Sequence, residues 1–257
     1  MFGIFNTKPL FDEETTNWLF DVFDWALRNF DAEVFHQHTA LVLPNDQFFP
    51  EQANNPHDMV RLVFERIKGY AGMAHWPFLL VDASSCQLLP PPKVEISGAL
   101  RGPGGITPAS VPDNHRLAVA YDPAMVNNPE ALVAGFAHTL AHYLGSMASE
   151  PAPGGEENWP HITELLAVFL GFGVMFANSA YIAPARSCGS CGPAQSTRTS
   201  YLSQYHMTYA LAIFCTAREI PSKEVTGHLK STLRSYFKRC MREIKGHEER
   251  ISRIKKQ

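Results

Sequence analysis

His138 and His142 stand four residues apart in the stretch Phe136-Ala137-His138-Thr139-Leu140-Ala141-His142-Tyr143-Leu144. On a helix that spacing puts both imidazoles on one face, where a single tetrahedral zinc ion can take two of its ligands. The zinc-hydrolase pattern H-E-x-x-H has a glutamate directly after the first histidine, which takes a proton from the metal-bound water and passes it to the leaving group. Here that position is Thr139. A hydroxyl has no useful basicity near neutral pH, so the motif predicts a metallopeptidase-shaped site without its usual general base. Read without a metal, the two imidazoles are hydrogen-bonded core histidines.

A strand-like segment, Leu117 to Tyr121, precedes the histidine helix, and a second helix opening Trp159-Pro160-His161-Ile162-Thr163-Glu164-Leu165 follows it. This order resembles the gluzincin metallopeptidases, in which an edge strand binds substrate, the H-E-x-x-H helix gives two ligands, and a glutamate roughly twenty residues on gives the third. The resemblance implies a Zn²⁺ site of His138, His142 and Glu164, with His161 as the alternative third ligand. Glu164 is preferred because it opens an otherwise apolar helix, where an unpaired carboxylate would be costly to bury. Its metal-free reading is a first-turn acid interacting with the helix dipole. Glu150, Glu156 and Glu157 lie in the intervening loop, and Glu157 is the candidate for a substitute base.

The segments Phe136 to His142, Thr163-Glu164-Leu165-Leu166-Ala167-Val168-Phe169-Leu170-Gly171-Phe172-Gly173, and Ala177-Asn178 are similar to a family of bacterial zincin-like proteins whose members show H-E-L-A-H and later T-D-L-L-T-V-F-L-G-F-G. Tyr201-Leu202 and Tyr209 to Phe214 look like that family's later helix, so the similarity covers roughly residues 40 to 220. Thr139 replaces the family glutamate and Glu164 its aspartate. The resemblance therefore implies a zincin-like fold and a metal. It also implies peptidase activity that is weak or lost, leaving recognition of a peptide or protein in the cleft.

Two other constellations have ligand chemistry. Cys188 and Cys191 form a C-x-x-C that could be half of a second metal site, with His206 the nearest further ligand. His36 and His38 alternate at strand spacing and read as surface residues. The loop from Gly98 to Pro112 contains Arg101-Gly102-Pro103-Gly104-Gly105, and turn chemistry accounts for it better than a phosphate cradle does.

The elements that must position these residues follow from periodicity. Apolar spacing predicts helices over Asp12 to Phe30 and Pro56 to Tyr70, then Pro129 to Ser146, Pro160 to Ala180, Ser200 to Glu219 and Ser222 to about Lys255. Short strands are expected at Leu41 to Leu43, Phe78 to Val81, Val94 to Ser97 and Leu117 to Tyr121. The whole, residues 1–257, reads as one α+β domain: helices and a small mixed sheet over 1–128, and a helical half over 129–257.

With 257 residues and 45% hydrophobic content the chain can bury one large core. The longest apolar run, Leu165 to Ala177, is shorter than the ~20 residues a bilayer span needs, so a buried core helix is expected. The N-terminus lacks the basic segment of a secretory signal, and five unevenly placed cysteines suit a reducing compartment, so a cytoplasmic protein is expected. Residues 230–257 hold ten Lys/Arg against three Asp/Glu, so the rest of the chain, with twelve against twenty-two, has a balance of −10. That asymmetry carries the alternative function: a metal-free interaction protein with structural histidines, whose basic C-terminal helix binds an acidic partner or nucleic acid.

Overall fold

The structure is a computed structural model that describes residues 8–50, 52–82, 92–180 and 200–257. Its first helix, α1 (Glu13–Asn29), starts where the Asp12 carboxylate accepts the Thr15 N–H at 2.7 Å. Acids in its first turn then favour the helix dipole. Asn55 and Pro56 start α2 (Pro56–Tyr70) in the same way. Two short strands follow, β1 (Phe78–Asp82) and β2 (Leu117–Tyr121), which pair in parallel with Phe78 opposite Leu117. The sheet among the described residues is thus two-stranded and parallel, where a small mixed sheet was expected.

Asn128 caps α3 (Pro129–Gly145) by accepting from the Ala131 N–H, with Pro129 in the first turn. The next expected helix is broken into α4 (Trp159–Ala167), a π-helical turn over Val168–Phe172, and α5 (Gly173–Ser179). The break is at Gly171, whose φ of 99° lies in the left-handed region. It frees the Gly171 carbonyl, which accepts the Val42 N–H at 2.9 Å. Leu41 to Leu43 is therefore not a strand: its backbone is satisfied by a helix break rather than by a neighbouring strand. Val94 to Ser97 also forms none, and only an isolated antiparallel bridge joins Gly98 to Gly105.

His36 and His38 are on a π-helical turn, Val34–His38, closed by the Thr39 N–H on the Val34 carbonyl at 2.9 Å. They do not alternate as on a strand, and His36 is half-buried with Nε2 against the Ile254 carbonyl at 3.1 Å. The glycine-rich loop is held from inside. Arg101 has no exposed surface; its Nε donates to the Ala71 carbonyl, its Nη2 to Thr39 Oγ1, and its guanidinium lies 5.3 Å over the Phe169 ring. Burial lowers its pKa to about 10 even with the Asp31 charge nearby.

The C-terminal part comprises α6 (Gln204–Ala217), α7 (Ser222–Thr226), α8 (Ser231–Gly246) and α9 (Glu248–Lys256). A continuous helix from Ser222 is prevented by Asn178, which donates to the His228 carbonyl and accepts the Lys230 N–H, pinning the turn before α8. The core is made where α3, α4 and α5 meet α6, with α1 on one flank and α8 on another. Residues 156–179 are apolar and long enough to cross a membrane on composition alone, but 94% of that window is buried inside the protein.

Gly171→Ala should lower the unfolding free energy by about 2–4 kcal/mol in urea titration, since it forces a side chain into positive φ and drives its Cβ into the Ala40 carbonyl. A loss under about 0.5 kcal/mol, the level of an ordinary surface change, would mean that the break is not needed.

Candidate functional site at the histidine helix

His138, Thr139 and His142 all lie on α3, and the following helix brings Trp159 across them. Gly145 makes that approach feasible: a Cβ there would lie 2.6 Å from the Trp159 ring. The indole Nε1 then donates to His142 Nδ1 at 3.2 Å. An indole nitrogen only donates, so His142 Nδ1 is the accepting nitrogen and the proton of the neutral ring is on Nε2. Part of the ring reaches solvent, yet desolvation by its neighbours still lowers the His142 pKa.

Thr139 is tied to its own helix. Its hydroxyl donates to the Gly135 carbonyl one turn back, at 3.2 Å. Glu150 accepts from Arg28 Nε at 2.9 Å and belongs to the α1 contact, while Glu156 and Glu157 are exposed on the turn before α4.

Glu164 is fully buried in the middle of α4, not in its first turn. Its two oxygens receive the Ser200 hydroxyl at 2.8 and 3.0 Å, the Leu202 N–H at 2.8 Å and the Tyr201 N–H at 3.3 Å. The carboxylate thus serves the chain just before α6. His161, one turn earlier, has a buried Nδ1 with no hydrogen-bond partner among the described residues, and its ring lies 5.9 Å from Tyr201. His206 stacks on Phe11 at 4.5 Å and meets Ser203 Oγ at 2.7 Å. Burial lowers its pKa, the His161 charge adds to that, and Asp12 opposes it.

Zinc ligation asks for a histidine whose free nitrogen is unprotonated and whose other nitrogen donates to a supporting acceptor. His142 has the reverse polarity, and the Glu164 oxygens already accept from three donors. Among the described residues no three His, Cys, Asp or Glu side chains form a group that could hold a metal. The expected set of His138, His142 and Glu164 is thus not gathered into such a group. Cys188 and Cys191 lie outside the described residues.

Sequence spacing did not point to Trp159, Tyr143 or Ser200. Tyr143, next to His142, donates its hydroxyl to the Ala118 carbonyl of β2 at 2.9 Å. The Leu117 N–H donates to the Pro77 carbonyl, so residues 117, 119 and 121 pair with β1. The N–H and C=O groups of Ala118 and Ala120 consequently face the opposite edge. Both alanines are exposed, while Leu117 and Val119 are in the core. At the end of β2, the Tyr121 hydroxyl meets His57 Nδ1 at 2.6 Å. Comparison with known protein families, curated proteins and solved structures finds no match to this chain.

Acidification should destabilise the fold. His142, His36, His75 and His206 all have pKa values lowered by burial, so below the ordinary histidine range the unfolded chain takes up protons that the folded chain refuses. Stability is full above the unfolded value of 6.5 and is lost as pH falls below it. Urea midpoints should fall between pH 7.5 and 5.5, and His142→Gln, which can still accept the indole N–H, should reduce the fall. A midpoint that rises on acidification would contradict this.

Proposed function

We propose that this chain is a non-hydrolytic peptide-recognition protein in which an extended segment adds as a strand along the outer edge of β2, beside the histidine helix. The observation that carries this reading is the edge itself: exposed Ala118 and Ala120 present their main-chain groups away from β1, and no further strand covers them among the described residues. Strand addition draws affinity from main-chain hydrogen bonds and specificity from alternate side chains. Small alanine side chains leave room for a backbone to approach. Tyr143 orients the Ala118 carbonyl, which has a second lone pair for an incoming N–H.

The same surroundings favour recognition over hydrolysis. Thr139 is bonded to its own helix, and Glu157 is exposed on the turn before α4. His142 Nδ1 is taken up by Trp159, a structural pairing rather than a ligand's. This reading keeps the expected peptide partner and gives up the expected zinc.

An array of random peptides of about ten residues should retain a subset rich in β-branched residues, as an extended bound conformation requires. Ala120→Pro removes an edge N–H and should weaken that binding at least about tenfold while the circular dichroism stays unchanged, since proline is tolerated on an edge strand. Mass spectrometry should find the bound peptides intact. Cleavage that disappears in His138→Ala, or binding indifferent to Ala120→Pro, would overturn the reading.

A further inference from the structure

The cations of the C-terminal quarter separate into two sets. On α9, Arg250 donates to Asp21 and Asn17, Arg253 pairs with Asp24, and Lys255 meets Glu219 at 2.6 Å. Those side chains fasten α9 to α1 and to the end of α6. On α8, by contrast, Lys238, Arg242 and Lys245 are exposed and enter no ion pair among the described residues. Arg242 Nε donates only to the Lys238 carbonyl of its own helix, at 3.4 Å. Spaced by four and three, the three cations form one stripe.

That stripe lines a groove of about 980 Å³ between α8, α9 and the turn that leaves α6, where half-buried Ile220 gives apolar surface and Met241 and Ile251 lie nearly buried at the base. Glu219 and Lys255 also line it. Glu219 is a non-glycine residue with φ 57°, held there by the closing turn of α6, in which the Ile220 N–H donates to the Cys215 carbonyl at 2.8 Å. Its strained backbone delivers a carboxylate to Lys255 within the groove, as a partner's carboxylate would be delivered.

We infer that this groove docks an acidic, partly apolar peptide segment of a partner protein, independently of the β2 edge. Carboxylates of the segment meet Lys238, Arg242 and Lys245, and its apolar side chains cover Ile220 and the small exposed parts of Met241 and Ile251. Charge complementarity is local: outside residues 230–257 the chain has a balance of −10, which repels an acidic partner and directs it to this stripe. A nucleic acid fits less well. No aromatic side chain lines the groove to stack a base.

Fluorescence anisotropy with a labelled peptide alternating glutamate and leucine, at low salt, tests the assignment. Combined Lys238→Glu, Arg242→Glu and Lys245→Glu should weaken binding at least about tenfold, and added salt should weaken it in the wild type. Lys230→Glu, outside the groove, should change it less than about twofold, and Glu219→Gln should tighten it by freeing Lys255. Unchanged thermal unfolding is the fold control, and Arg242→Gln alone should still weaken binding if the triple variant does not fold. Absence of saturable binding, equal weakening by Lys230→Glu, or tighter binding of an RNA of equal length through the same three residues would overturn the proposal. Ala120→Pro should leave this binding intact, so failure of either site is separable from failure of the other.

Discussion

A carboxylate with no exposed surface survives in an apolar helix only when its lone pairs are answered, and residues 200 to 202 give Glu164 three donors. The partners are 36 to 38 positions away in sequence, so their bonds fix where residues 200 to 202 sit and where α6 begins. From that point α6 is laid along α5 and α8, α8 leads to α9, and the arginines of α9 close on α1. Removing the carboxylate would leave the Tyr201 and Leu202 amide donors without this acceptor, the expensive side of hydrogen-bond energetics.

The same logic governs the histidine helix. Trp159, admitted by Gly145, gives its N–H to His142, and this decides the tautomer of the ring. Thr139 turns to Gly135, and Tyr143 reaches out to β2. His142 and Tyr143 thus hold α3 against its neighbours, while Thr139 is bonded within its own helix. What is left open is main chain, along Ala118 and Ala120.

Much of this was legible. The bounds of α2 and β2 match the expected ones, because Pro56 marks the start of one and turn-forming residues flank the other. The α+β composition was legible too, as was the burial of Leu165 to Ala177. The breaks were not. Nothing local in Val168-Phe169-Leu170-Gly171 distinguishes a tolerated helical glycine from one that must take positive φ so that Val42 can bond its carbonyl. Asn178 likewise pins the turn before α8 through partners 50 and 52 residues away. At the site, the H-x-x-x-H spacing correctly put both histidines on one helix. Spacing does not record what already occupies a lone pair, and so the donors on Glu164 and His142 could not be read.

The most direct test is the unfolding free energy of the wild type and of Glu164→Ala, each measured with and without a strong zinc chelator on protein purified without added metal. Glu164 as an answered structural carboxylate predicts a loss of about 2–4 kcal/mol in the variant and no effect of chelator on either protein. A chelator effect on the wild type as large as the substitution itself, and absent from the variant, would instead make Glu164 a metal ligand and contradict the account.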